Sequence, residues 1–129
     1  MNGKYLLDTS IVIALFRGEA TILTELSNAE EVSVCSVVLG ELYYGARKSA
    51  RIAQNLAEVD AFAASNTVLA CDIDIARQYG IIKDLLRAKG RMIPENDIWI
   101  AAMALQHGLT LATRDAHFNE VDGLSVANW

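Results

Sequence analysis

Of the sixteen acidic residues in this chain of 129, four stand where a carboxylate is costly. Asp8 ends the apolar run Tyr5-Leu6-Leu7. Glu41 lies inside Val37-Val38-Leu39-Gly40-Glu41-Leu42-Tyr43-Tyr44, with no other charge beside it. Asp97 opens Asp97-Ile98-Trp99-Ile100-Ala101-Ala102-Met103. Asp115 follows a short apolar stretch in Thr113-Arg114-Asp115. A charge in such surroundings is strongly unfavourable unless it is paired or bound to a cation. Carboxylates brought together repel, and a hard divalent cation resolves that repulsion. Mg²⁺ or Mn²⁺ takes oxygen ligands and keeps coordination positions for a substrate phosphate. The chemistry such a set supports is metal-assisted hydrolysis of a phosphodiester, in which the cation activates water and offsets charge on the phosphate oxygens.

Each of the four also has an ordinary explanation. Asp97 or Asn96 can be a helix N-cap, Asp115 a turn or cap residue, and Glu41 the partner of Arg47 or another base. Asp8 is the hardest to dismiss, because a strand-end acid in an α/β sheet faces the ligand crevice. Most of the remaining acids have ordinary readings. Glu19, Glu25, Glu30, Glu31, Glu58 and Asp60 fall on polar faces or loops. Asp72 or Asp74 can cap a helix, Asp84 can pair with Lys83 or Arg87, and Glu120 and Asp122 lie in a late polar turn.

The elements that must position the four acids follow from apolar spacing. Residues 4–8 read as a strand buried on both faces. A helix over 10–17, capped by Thr9 or Ser10, stops near Gly18, and a second covers 20–29. Strands are expected at 32–35, 67–71, 109–113 and 124–126. Ser36 can cap a helix through about Lys48, and an apolar face marks another over 50–64. A long amphipathic helix over 72–89 admits an interruption at Gly80. A loop over 90–96 holds the one proline, Pro94, and an almost wholly apolar helix over 97–107 closes on Gly108. Strands alternating with helices predict an α/β fold with a mainly parallel central sheet of about five strands flanked by helices. The surplus of helices predicts helix hairpins packed beyond the sheet. In this fold Asp8 and Asp115 end two strands on one edge, and Glu41 lies about one turn into a helix leaving that edge. Asp97 reaches it if the preceding loop folds back.

The chain reads as a single domain over 1–129, 53% apolar, with no apolar run as long as a membrane span and no signal-like segment before the first strand. A cytoplasmic protein is expected. Cys35 and Cys71 are read as small core residues, without metal-type spacing. The net charge of −5 argues weakly against nucleic acid. If four carboxylates serve a cation, however, twelve acids remain against 11 bases, a balance of −1.

Four segments together resemble a known family: Leu6-Leu7-Asp8-Thr9-Ser10, Val38-Leu39-Gly40-Glu41-Leu42-Tyr43-Tyr44-Gly45, Asn96-Asp97-Ile98-Trp99-Ile100-Ala101-Ala102 and Thr113-Arg114-Asp115-Ala116-His117-Phe118. In this order and at these separations they look like a PIN-domain ribonuclease of the VapC toxin type, and the likeness runs nearly end to end. The resemblance implies a PIN-like fold and an Mg²⁺/Mn²⁺ site built from Asp8, Glu41, Asp97 and Asp115. It implies endonucleolytic cutting of structured RNA such as tRNA or rRNA, and restraint by a cognate antitoxin in a type II toxin–antitoxin system. Asp8, Asp97 and Asp115 would hold the metal, and Glu41 would orient or deprotonate the attacking water. Thr113 and Thr9 or Ser10 would support them through hydrogen bonds, with a plain backbone bond as the alternative for Thr113. Asn96 is read as a cap and His117 as a loop residue.

Two basic clusters, Arg47-Lys48 with Arg51, and Lys83, Arg87, Lys89 with Arg91, can meet phosphates or simply face solvent. Tyr43 and Tyr44 are expected in the core or an interface. Helices 10–17 and 36–46 offer a groove for the antitoxin, by analogy with the family. Helix 97–107 is expected to be buried or to form a homodimer contact. Aspartyl-phosphate chemistry of the haloacid dehalogenase type needs an acid two residues after Asp8, where Ser10 stands. A phospho-accepting receiver needs an early acidic pair, also absent. The surviving alternative is a non-cleaving RNA- or protein-binding module that retains the acidic pocket.

Overall fold

Leu6 and Leu7 carry the first strand through the middle of the sheet. The computed structural model describes residues 3–129. Met1 and Asn2, read from the sequence as leading straight into that strand, lie outside the described residues. Strand β1 (Lys4–Leu7) pairs in parallel with β2 (Glu31–Cys35) on one side and β4 (Thr110–Thr113) on the other. Strands β3 (Thr67–Leu69) and β5 (Val126–Asn128) complete the order β3-β2-β1-β4-β5. The chain steps outward from β1 to β2 and β3, then crosses back to β4 on the far side of β1. That reversal is a topological switch point, and ligands of open α/β sheets bind outside the strand carboxyl ends there. Leu7 lies opposite Ala112, and the Asp8 N–H extends the ladder by donating to the Ala112 carbonyl at 3.0 Å.

Six α-helices flank the sheet: α1 (Thr9–Phe16), α2 (Ala20–Asn28), α3 (Ser36–Arg47), α4 (Ile52–Ala64), α5 (Ile73–Ala88) and α6 (Glu95–His107). Helix α1 buries Ile11, Val12 and Ala14, and α3 buries Val38, Leu39 and Leu42. As the helix surplus predicts, α3 pairs with α4 and α5 with α6. Tyr79 of α5 stacks on Trp99 of α6, with ring centroids 4.0 Å apart. Helix α6 is apolar because it is enclosed within this fold: Ile98, Ile100 and Ala101 through Ala104 are fully buried. None of the helices is long and apolar enough to cross a membrane, among the described residues.

Several local expectations are corrected. Helix α6 starts at Glu95, with Pro94 at its N-cap, so neither Asn96 nor Asp97 caps it. The Pro94 carbonyl accepts from the Asp97 and Ile98 N–H groups at 3.0 and 3.2 Å. Asp97 is thereby turned into the first helical turn and its carboxylate is left free of capping. Helix α5 runs unbroken through Gly80, held by buried Ile75, Ile82 and Leu86, and Asp72 caps it by accepting from the Ile75 N–H at 3.0 Å. Thr9 and Ser36 are first helical residues; the caps are Asp8 and Cys35, without side-chain capping bonds. Strand β5 is shifted by two residues because the Leu111 N–H bonds the Ser125 carbonyl, which pairs Leu111 with Val126. Cys35 is buried as expected, but Cys71 is exposed, and both are free thiols. Tyr44 is also exposed rather than in the core.

Gly108 ends α6 at φ 63°, in the left-handed region, whereas a methyl at helical Gly80 would meet nothing within 4 Å. The two glycines therefore respond oppositely to alanine. In urea unfolding, Gly108→Ala is expected to lose about 1 kcal/mol. Gly80→Ala is expected to gain roughly 0.5–1 kcal/mol.

Candidate active site

Asp8 occupies the N-cap position of α1, where an aspartate ordinarily binds the helix's free N–H groups. Its main-chain carbonyl does accept from the Ile11 and Val12 N–H groups at 3.1 and 3.2 Å. Its side chain makes no capping bond. The carboxylate instead points along the sheet edge, where Oδ2 accepts from the Thr113 hydroxyl at 2.6 Å and the Ser10 hydroxyl at 3.4 Å. Thr113 ends β4 and is itself buried, and its Oγ1 also accepts the Asp115 N–H at 3.0 Å. The hydroxyl thus serves both readings offered for it, a side-chain bond to an acid and a bond to backbone.

Asp115 begins a short 3₁₀ helix over Ala116–Glu120 and accepts the His117 N–H through Oδ1 at 2.9 Å. His117 Nδ1 lies 3.1 Å from Asp115 Oδ1 and 3.3 Å from Asp97 Oδ2. One potential ligand atom from each of Asp97, Asp115 and His117 lies within 4.8 Å of the others, a group that does not include Asp8 or Glu41. His117, read as a loop residue, therefore stands at the centre. Only its place after Asp115 could have hinted at this, since the contact to Asp97 spans 20 residues. Glu41, half-buried on α3, accepts the Thr9 hydroxyl at 2.6 Å. The pairing of Glu41 with Arg47 is not formed.

The four acids feel one another. Burial holds the Asp8 carboxyl above its ordinary value, opposed by the Thr113 hydroxyl and reinforced by the charges of Glu41 and Asp115. Burial, then the charge of Asp8, raises Asp97 from 3.8 to about 6, with Asp115 and Glu41 adding to the rise. No lysine or arginine pairs with any of the four among the described residues. An oxygen-rich, mutually repelling set of this kind fits a hard divalent cation. Around it, Arg114 joins Glu19 through Nη2 at 2.8 Å and the Trp129 carbonyl through Nε at 3.1 Å. This brace ties the α1–α2 link to the end of β4; Glu19, a loop acid as the sequence suggests, carries no local sign of a partner 95 residues away.

A PIN domain profile matches residues 5–124, and the chain belongs to the PIN-domain family. It is 40% identical over 129 residues to ribonuclease VapC2 of Haemophilus influenzae, covering 98% of each chain. It is 34% identical over 129 residues to the tRNA(fMet)-specific endonuclease VapC of Shigella flexneri, again over 98% of each. Among solved structures, DNA-bound VapBC of Salmonella typhimurium matches with a TM-score of 0.90 at 30% identity, over 100% of this chain and 99% of that one. VapBC2 of Rickettsia felis, bound to a fragment of its promoter, matches at 0.89 and 29% identity, over 97% and 98%. Within the PIN domains the chain is of the VapC type, the ribonuclease toxins of toxin–antitoxin pairs.

The raised Asp97 has a measurable consequence. A carboxyl whose folded pKa exceeds its unfolded one binds its proton more tightly when folded, so its contribution to stability falls as the pH rises from about 4 to about 6. In EDTA, Asp97→Asn is expected to raise Tm by about 2 °C or more at neutral pH. The gain should shrink as the pH falls below about 6 and vanish only below about pH 4, where the side chain is protonated in the unfolded chain as well. Calorimetry across that range checks the sign.

Proposed function

We propose that the chain, acting as one PIN-like domain over residues 1–129, is a cytoplasmic Mg²⁺- or Mn²⁺-dependent endoribonuclease and the toxin of its pair. What supports the reading is that Asp97 and Asp115 meet at His117, that Asp8 and Asp115 share the Thr113 hydroxyl, and that among the described residues no lysine or arginine pairs with Asp8, Glu41, Asp97 or Asp115. Asp8, Asp97 and Asp115 would hold the metal, which when bound supplies charge neutralisation at the scissile phosphate and activates water. Thr113 and Ser10 fix the Asp8 carboxylate. Glu41, steadied by Thr9, is placed to orient the water or take its proton. His117 bridges Asp97 and Asp115 and fixes their relative orientation. Structured RNA, tRNA or rRNA, is the substrate class, a reading supported by the tRNA(fMet)-specific endonuclease among the relatives.

The partner is a cognate antitoxin. A groove of about 470 Å³ between α1, α3 and α4 is lined by Ile13, Phe16, Leu42, Ala46 and Val59 and opens on Thr9 and Glu41. An apolar antitoxin segment laid in it would reach the acids, and the similar solved structures are toxin–antitoxin complexes. The chain alone is proposed to form a homodimer. Helix α6 is enclosed, so the contact moves to α5, whose outward row Ile73, Ile81 and Leu85 is 71%, 54% and 50% exposed. Three large apolar side chains on one face mark an association surface.

Purified protein freed of its antitoxin is expected to cut total RNA at discrete sites in Mg²⁺ or Mn²⁺. EDTA, Asp8→Asn and Asp97→Asn should each lower the rate at least a hundredfold, on the order expected for losing a metal ligand. Cutting that ignores all three would sink the reading, and RNA bound without cutting would favour the binding module. In sedimentation at micromolar concentration, a dimer that Ile81→Glu converts to monomer is expected; a monomer from the start counts against the α5 contact.

A further inference from the structure

Glu41 is shared by two clefts. On the side away from the α1–α3–α4 groove, a second cleft of about 520 Å³ is lined by Gly40, Glu41 and Tyr44 of α3, Cys71, and Asn96 and Trp99 of α6. Its chemistry differs from that of the apolar groove. Tyr44 is 64% exposed, and the Lys48 ammonium lies 4.6 Å from its ring centroid. Trp99 forms a fixed wall, since its ring is stacked on Tyr79. The exposed Asn96 amide makes no hydrogen bond among the described residues and so has both a donor and an acceptor to offer. At Gly40 a side-chain carbon would meet nothing within 4 Å, so the space above this part of α3 is open.

Charge points the same way. In the second basic cluster Lys83 is paired with Glu95, Arg87 with Asp84 and Lys89 with Asp122, and only Arg91 has no carboxylate partner among the described residues. Beside Tyr44, by contrast, Arg47, Lys48 and Arg51 are exposed and have no carboxylate partner among the described residues. An aromatic face, a free amide and unpaired cations beside a phosphodiester-cutting centre are the elements of single-strand recognition: stacking for the base, hydrogen bonds for its edge, charge for the backbone.

We propose that this cleft is a nucleobase subsite, in which an unpaired base next to the scissile phosphate stacks on Tyr44 and presents its edge to Asn96. The inference rests on the ribonuclease reading and deepens it by naming the residues that hold a base beside the scissile phosphate; a base held in a duplex cannot enter. Lys48 and the two arginines meet the phosphates beyond that base.

The full chain, freed of antitoxin, tests this with a stem-loop RNA and the same sequence annealed as a duplex. Binding is read by fluorescence anisotropy in the Asp8→Asn background, which separates it from cutting. Tyr44→Ala is expected to weaken stem-loop binding about tenfold and leave the weaker duplex binding unchanged. Tyr44→Phe should restore stem-loop binding, and Asn96→Ala should flatten the preference among loop bases. With Asp8 intact, the Tyr44→Ala loss should appear in KM rather than kcat. Equal stem-loop binding by Tyr44→Ala and the parent overturns the proposal. So does a Tyr44→Ala loss that accompanies conversion of a dimer to monomer in sedimentation, which would make this face a contact between copies. Tyr44-dependent stem-loop binding without any RNA cleavage would sink the ribonuclease reading and leave the subsite standing.

Discussion

One hydroxyl joins the two strands on which the centre is built. Thr113 Oγ1 donates to the Asp8 carboxylate and accepts the Asp115 N–H, so a single atom sets the distance between β1 and β4 where they end. The bond is possible because the parallel register places Leu7 opposite Ala112, which brings the next residue of each strand side by side. A hydrogen bond to a charged group contributes roughly 1.5–3 kcal/mol, and here it opposes the desolvation of a buried carboxylate. The sheet's strand order, the sacrifice of a side-chain cap at α1 and the rigidity of α6 behind Asp97 all converge on keeping those acids in place.

That arrangement concentrates like charge in one spot and distributes the compensating positive charge elsewhere. Arg114 is engaged with Glu19, Lys83 with Glu95 and Lys89 with the loop acids Glu120 and Asp122. The fold is braced by these peripheral pairs, each modest in itself, while among the described residues no lysine or arginine pairs with the acids of the centre. Glu41 sits where both clefts open. A protein segment on one side and a nucleic acid on the other would therefore meet at a single side chain, which offers a direct physical route from capture by a partner to loss of turnover.

The four acids stand out in the sequence because each sits in an apolar context or at a strand end, and the strand–helix alternation was legible because the periods are clear. What escaped was set by contacts far apart in the chain. His117 approaches Asp97 across 20 residues and Arg114 reaches Glu19 across 95; neither residue carries a local signal. The start of α6 was misplaced because Asn96 and Asp97 are good cap residues in isolation, while Pro94 supplies a fixed φ and no unsatisfied N–H of its own. Strand β5 was displaced because two half-exposed residues and one exposed one leave little alternation to read. Tyr44 was drawn toward the core by apolar neighbours, although it lies on the outward side of α3.

The bond between Thr113 and Asp8 spans 105 residues, and this separation orders events during biosynthesis. Asp8 and Glu41 emerge early, and β1 can pair with β2 while the rest of the chain is still being made. The other half of the centre waits for β4 and the turn behind it, and contacts of such long range form late because loop closure must precede them. A growing chain thus carries the first two acids without the tie that aligns them. The acidic centre is completed only after residues 110–115 have left the ribosome.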